Sequence, residues 1–301
     1  MVSVIIATRS SPLARWQAEA VANRLALSAI DVEFLIVTTE GDQDQTRQIQ
    51  EMAGRGVFVK EVQMAVLEGQ ADLAVHSAKD LMSSPTAGLN LAAFLERGDP
   101  RDALIGMNLQ QLPQGARIAT GSARRQAQLA HVRPDLKFTG LRGNMETRIA
   151  VAEREDVDAV VVAMAALQRL ELTDSVAEVF SVEEMIPQAG QGAIAVECRD
   201  DDPTINEQLL GISDDPTRRC VEAERAYLAE LGGGCELPVG AYAYLEEGII
   251  QLDAVLASRD GTTLLRTRQQ GYDADALGKA VAEELLADGG RALLSINGAS
   301  S

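Results

Sequence analysis

Twice along the chain, apolar runs of strand length alternate with stretches of helical period. In the first block the runs fall at 2–7, 32–38, 71–75 and 89–95, with helical patterns at 13–27 and 57–67. In the second they fall at 117–120, 136–139 and 157–163, and helical patterns follow the first two. A parallel strand is reached only through a crossover that covers a sheet face, so this alternation requires mostly parallel sheets with helices on both faces. The expected class is α/β. Beyond residue 214 the pattern changes: a helix to about 231, strand alternation over 237–268 with turns near Glu247-Gly248 and Asp260-Gly261, then an amphipathic helix over 274–286. That tail reads as a small α+β domain.

Two polar, glycine-containing segments punctuate the blocks. Arg97-Gly98-Asp99-Pro100-Arg101-Asp102 has the composition of a domain crossing. Gly190-Gln191-Gly192 opens an apolar strand, 193–196, that can return the chain to the first domain. The expected boundaries are residues 1–96 with 191–213, then 97–190, then 214–301. The polar stretch 40–56, with Gly41, Gly54 and Gly56, reads as a long loop, a length that usually carries function or disorder.

In open α/β sheets ligands bind beyond the carboxyl ends of the strands. At those ends this sequence places Arg9, Lys79-Asp80, Arg124-Arg125, Arg142 and Arg148. The net charge is −18, and four lysines stand against 23 arginines, so the cluster reverses the sign locally. Arginine offers a planar fork of donors that fits carboxylate or phosphate, and a helix N-terminus adds partial positive charge. Two readings stay open: a cleft for a ligand with several carboxylates or phosphates, or arginines paired with nearby acids on a solvated face. The acidic total excludes general nucleic-acid binding, and the phosphate-binding loop and dinucleotide glycine fingerprint are both absent.

Asp80 is the best single carboxylate for stabilising a developing cation or moving a proton, though it could instead pair with Lys79. His76 ends a buried strand and reads as packed rather than catalytic. Cys198 and Cys220 sit in apolar periodic contexts and read as core. Cys235 follows Gly232-Gly233-Gly234, a run that opens backbone shapes closed to other residues. It reads either as a presented thiol, with the remaining machinery facing its sulfur, or as a small apolar residue after a glycine helix stop. Three cysteines without a CxxC pair, and two histidines, give neither a disulfide framework nor a metal site. The N-terminus reads as a strand rather than a signal peptide and no run is long enough for a membrane span, so a cytoplasmic location is expected.

The motifs together resemble the porphobilinogen deaminase (hydroxymethylbilane synthase) family. They are Ala7-Thr8-Arg9 with Ser11-Pro12-Leu13-Ala14, Gly56-Val57-Phe58-Val59-Lys60-Glu61, Ala74-Val75-His76-Ser77-Ala78-Lys79-Asp80, and Gly98-Asp99-Pro100-Arg101-Asp102. Further on come Arg124-Arg125-Gln126, Leu141-Arg142-Gly143-Asn144 with Thr147-Arg148, Gly190-Gln191-Gly192-Ala193, Ala223-Glu224-Arg225, and Gly233-Gly234-Cys235 with Pro238. They run in family order over essentially the whole chain. The resemblance implies two periplasmic-binding-protein-like (type II) α/β domains and a small third domain carrying the cysteine. It implies a dipyrromethane cofactor held by a thioether to Cys235, and porphobilinogen as substrate. Four units would be added in turn, each losing ammonia, before hydrolysis releases hydroxymethylbilane.

The same resemblance implies that Asp80 is catalytic, with Lys79 beside it. Lys79, Asp80, Thr120, Ser122, Arg124, Arg125 and Gly190 would bind the cofactor, and Arg9, Ser11, Arg142, Asn144, Arg148 and Arg169 the substrate. It implies a monomer without a metal, a nucleic acid or a membrane as partner. Loss of ammonia leaves a cationic azafulvene, which a fixed carboxylate near its N–H would stabilise. The chain departs from the family pattern at Glu40, Glu51 and Arg55, at Leu81-Met82 and at Ala119-Thr120-Gly121. A non-catalytic module that captures a polycarboxylate explains the α/β units and the arginines but not the cysteine loop. A thiol-dependent transferase would want a histidine base, and neither His76 nor His131 is near Cys235 in sequence.

Overall fold

A computed structural model describes residues 3–39, 59–233 and 237–298; the expected loop at 40–56 and Cys235 lie outside them. The N-terminal segment lays down strands β1 (Ser3–Arg9), β2 (Asp31–Val37), β3 (Leu73–Ser77) and β4 (Leu89–Phe94). It also forms helices α1 (Pro12–Ala26) and α2 (Lys60–Leu67). The middle segment supplies β5 (Asp102–Gly106), β6 (Arg117–Ala119), β7 (Lys137–Thr139), β8 (Ala159–Ala163) and β9 (Val176–Val179). Its helices are α3 (Ala123–Val132), α4 (Met145–Val151) and α5 (Met164–Arg169). There follow β10 (Ile194–Arg199), α6 (Pro203–Leu210) and α7 (Asp215–Glu230). Strands β11 (Val239–Glu246), β12 (Ile249–Ala257) and β13 (Leu264–Gly271) and helices α8 (Ala274–Leu285) and α9 (Arg291–Gly298) complete the chain.

Two compact units result: Met1–Gly98 with Gly192–Arg218, and Asp99–Gln191 with Arg219–Ser301. The chain thus passes from one to the other at 98/99 and 191/192, within the two glycine-containing segments, and again at 218/219, inside α7. The first unit holds a five-stranded sheet in the order β2-β1-β3-β10-β4. The second holds a sheet in the order β7-β6-β8-β5-β9 and an antiparallel sheet β11-β12-β13. Each large sheet is mostly parallel, as the alternation requires. Each also contains one antiparallel strand next to its central one: β10 runs against β3 and β4, and β5 against β8 and β9. Both are the first strand laid down after a crossing. Strands β5 and β9 were not anticipated, because Asp102 was read as part of the crossing and Val-Ala-Glu-Val is too short to show a period.

In the first unit the strand period of two sorts the core onto both sheet faces. Val4, Ile6, Leu73 and Val75 pack with Ala18, Val21 and Leu25 of α1. Ala7 and Ala74, on the opposite face, pack with Val62, Ala65 and Val66 of α2. Helix α1 starts where Ser11 and Pro12 suggested: Ser11 Oγ accepts the Ala14 N–H at 3.3 Å and Pro12 occupies the first turn. His76 is packed, as expected. Its Nε2 lies 3.1 Å from Glu197, whose carboxylate also accepts from the Gln63 amide at 2.8 and 3.1 Å. Cys198 and Cys220 are buried thiols outside any disulfide, and burial pushes the Cys198 thiol up to about 11.

The C-terminal part of the second unit has its own apolar core. Leu252, Ala254 and Leu256 of β12 pack with Tyr227 of α7 and with Leu277, Val281 and Leu285 of α8. Tyr227 is fully buried and its hydroxyl donates to the Val255 carbonyl at 2.9 Å, which satisfies its one polar atom. Gly278 sits where α8 meets α7: a Cβ there would stand 2.5 Å from the Ala223 carbonyl oxygen and 2.6 Å from Ala226 Cβ. Backbone cannot give way as a flexible side chain can. Gly278→Ala is therefore expected to destabilise the protein by about 1–3 kcal/mol despite alanine's better helix propensity, read as a lower denaturant midpoint.

Candidate active site

The first unit contributes one sheet edge. β1 and β3 are parallel neighbours, paired at Ile6–Leu73 and Ala7–Ala74, so their carboxyl ends emerge side by side. Arg9 ends β1, and a single 3₁₀ turn, Ala78–Asp80, continues directly from β3. The buried Ala78 anchors that turn through its N–H to the Ala193 carbonyl at 3.0 Å. Lys79 and Asp80 are half-buried. The Asp80 carboxylate has no hydrogen-bond or ion-pair partner among the described residues, so it is not paired with Lys79. Ser11 lies beyond the same edge, where its hydroxyl serves as the α1 cap.

The second unit has a sheet edge of the same kind. β7, β6 and β8 are adjacent and parallel, and the segment leaving each carboxyl end carries arginine. Thr120 and Ser122 follow β6 and lead into α3 with Arg124 and Arg125. Arg142, Asn144 and Arg148 follow β7 and enter α4, and Arg169 ends α5 beyond β8. Two of these loops run close together. A Cβ on Gly121 would lie 2.9 Å from the Leu141 carbonyl oxygen, so the β6 loop tolerates only glycine there without a shift.

Some of these side chains have local work. Ser122 Oγ accepts the Arg125 N–H at 3.4 Å and caps α3, and Asn144 Oδ1 accepts the Thr147 N–H at 2.9 Å and caps α4. Arg148 Nε donates to the Gly143 carbonyl at 3.0 Å. Burial lowers the Arg169 guanidinium to about 10. Gly190 has φ +75°, and its N–H donates to the buried Glu224 carboxylate at 2.6 Å.

Sequence reasoning passed over the acid that organises this edge. Asp102 is fully buried at the start of β5. Its Oδ2 accepts from Arg124 Nη1 at 2.7 Å, and its Oδ1 accepts from Arg125 Nε and from Gln191 Nε2, both at 2.9 Å. Arg124 and Arg125 therefore do pair with an acid, but inside the protein at the expected edge and not on a solvated face. The only sequence signal was an acid within a motif otherwise read as a crossing.

The donors left over fit an anionic group. Arg124 Nε and Nη2 and Arg142 Nη2 are buried without a hydrogen-bond partner among the described residues. A guanidinium does not shed its proton to escape burial, so such donors suit carboxylates. The acetate and propionate side chains of a dipyrromethane supply carboxylates of that kind.

An α/β chain that gathers arginines beyond the strand ends of one sheet and presents an unpartnered carboxylate beyond those of another belongs among proteins that handle small polyanionic ligands. Comparison with known proteins narrows this. The porphobilinogen deaminase dipyromethane cofactor binding domain matches residues 4–207, and the porphobilinogen deaminase C-terminal domain matches 218–287. Porphobilinogen deaminase of Syntrophotalea carbinolica is 43% identical over 297 residues, covering 96% of this chain and 94% of that protein. Porphobilinogen deaminase of Pelobacter propionicus is 42% identical over 295 residues, covering 96% and 95%. The chain belongs to the porphobilinogen deaminase family. It is a transferase of tetrapyrrole synthesis, a hydroxymethylbilane synthase, which polymerises porphobilinogen on a dipyrromethane cofactor. Among solved structures, the methionine binding protein MetQ is similar at a TM-score of 0.45 and 12% identity, over 72% of this chain and 92% of that one.

Burial disfavours the charged Asp102 carboxylate, but the Arg124 and Arg125 guanidiniums, with hydrogen bonds from Arg124 and Gln191, more than offset this and hold it well below the ordinary carboxylate range. A group whose folded pKa is lowered stabilises above its unfolded pKa, and that contribution is lost as pH falls toward the folded value. Stability should decline as pH is taken below about 4, and Asp102→Asn should show a shallower decline over the same range in urea-unfolding titrations.

Proposed function

We propose that Asp80 is the carboxylate at which the chemistry occurs. The observation that carries this is its half-buried position, without a partner among the described residues, on a turn anchored through Ala78 beyond β3 and beside the end of the strand that bears Arg9. Ammonia leaves the aminomethyl group of porphobilinogen and positive charge spreads to the pyrrole nitrogen. A fixed carboxylate at that N–H stabilises the charge as it forms and can take the proton released when the new carbon–carbon bond is made. Lys79 and Arg9 at the same edge attract the substrate's carboxylates and keep its orientation.

Cys235 holds the dipyrromethane through a thioether, in this reading, and the bound group supplies the pyrrole carbon onto which the first porphobilinogen is added. Arg124 and Arg125, with Lys79, Asp80, Thr120, Ser122 and Gly190, hold the cofactor. Arg142, Asn144, Arg148 and Arg169, with Arg9 and Ser11, hold incoming substrate. The Arg124 and Arg142 nitrogens that lack partners support these assignments. Residues 214–301 act as a domain of their own carrying Cys235, a division supported by their separate apolar core. The family resemblance further suggests a cytoplasmic monomer.

Two measurements test this reading. Asp80→Asn should lower kcat by about 10²-fold or more while KM for porphobilinogen moves little, because the lost interaction is made in the transition state; an unchanged kcat removes Asp80 from the chemistry. The intact mass of the purified protein should exceed that of the chain by two porphobilinogen units less their ammonia, and Cys235→Ser should lack the increment. An increment that persists in Cys235→Ser would move the attachment elsewhere.

A further inference from the structure

Arg124 and Arg125 are adjacent, both almost wholly buried, and share one counter-charge. Neighbouring guanidiniums repel, and each could take several rotamers in an open cleft. Here each is tied at more than one point. Arg124 Nη1 donates to Asp102 Oδ2 and to the Ile186 carbonyl, both at 2.7 Å. Arg125 donates through Nε to Asp102 Oδ1 and through Nη1 to the Val161 carbonyl, both at 2.9 Å. The shared acid is itself tied: Gln191 Nε2 donates to Asp102 Oδ1 at 2.9 Å and to the Pro100 carbonyl at 2.7 Å. Two positive charges and one negative leave this buried cluster one positive charge in excess, and the donors still open are Arg124 Nε and Nη2.

We propose that Asp102, held by Gln191, is a positioning residue: it fixes the Arg124–Arg125 pair so that the open edge of Arg124 and the excess charge are presented to a ligand carboxylate. This rests on the reading that the two arginines hold carboxylates of the cofactor. Asp102 touches neither substrate nor cofactor. Its effect is exerted by cancelling the mutual repulsion of the arginines and by removing their freedom to turn, so that binding need not supply that order. Gln191 orients the carboxylate without adding charge.

The test compares Asp102→Asn, Asp102→Glu, Gln191→Ala and Arg124→Gln, each purified as the full chain. Three quantities are read: the fraction carrying the dipyrromethane mass increment, KM and kcat for porphobilinogen, and the melting temperature. Asp102→Asn should lower the loaded fraction and raise KM of the loaded enzyme by about tenfold or more, since small misplacements of positioning groups carry penalties of that order. Asp102→Glu keeps the charge but moves it by one methylene; it should recover most of the melting temperature and little of the KM. Gln191→Ala leaves every charge in place and should shift loading and KM the same way by a smaller factor, which keeps the test decisive if Asp102→Asn does not fold. A lowered melting temperature with wild-type loading and KM in the Asp102 and Gln191 variants, alongside impaired Arg124→Gln, would overturn the positioning role alone. Wild-type loading and KM in Arg124→Gln would overturn the assignment of the arginines to the cofactor, and the proposal with it.

Discussion

Asp102 carries one negative charge at a fully buried position, and two guanidiniums, an amide and the start of a central strand converge on it. Burying ions is costly, and such a cluster persists only when each charge finds a partner at good geometry. Asp102 opens the first strand after the crossing at 98, and its partners come from two other stretches of chain: the first turn of α3 and the segment preceding the crossing at 191. The crossings at 98 and 191 and the arginine helix are thereby referred to the same point. The rest of the second unit's edge follows from it, because the β6 and β7 loops approach through Gly121 and carry Arg142 and Arg148 alongside.

Much of this was legible in the sequence. The strand-helix alternation located the sheets, and Ser11-Pro12 located the start of α1. These signals are local: a period and a cap. The reading of His76 as packed was sound for the same reason, since it lies in a continuous apolar strand. What sequence did not disclose was long-range. The antiparallel insertion of β5 and β10 leaves no mark in either strand, as their apolar runs look like those of parallel strands. The pairing of Asp102 with Arg124 and Arg125 joins residues 22 and 23 positions apart, and no periodicity announces a buried ion pair.

The candidate site was legible in part. The arginines carried two readings, forks open to a ligand or partners of nearby acids, and they do stand beyond the strand ends. Arg124 and Arg125 are also components of a buried core network, which composition could not distinguish from exposure. Ser122 and Asn144 were expected as ligand-binding groups, and each spends its side chain on the first turn of a helix. The two duties are compatible: a cap fixes the start of the helix, and the start of the helix sets where its arginines stand.

The insertion of β10 has a consequence for how the chain is made. Within the first unit, β4 finds its hydrogen-bonded neighbour in β10 and none in β1, β2 or β3. The first sheet therefore stays open on one side until residues 194–199 have left the ribosome. The large sheet of the second unit needs only residues 102–179, a contiguous stretch already complete by then. During synthesis the contiguous sheet of the second unit is thus free to close before the first, whose strand β10 arrives later. A stall in translation between residues 95 and 193 would leave β3 with an unpaired edge, the kind of surface on which strands of different chains associate.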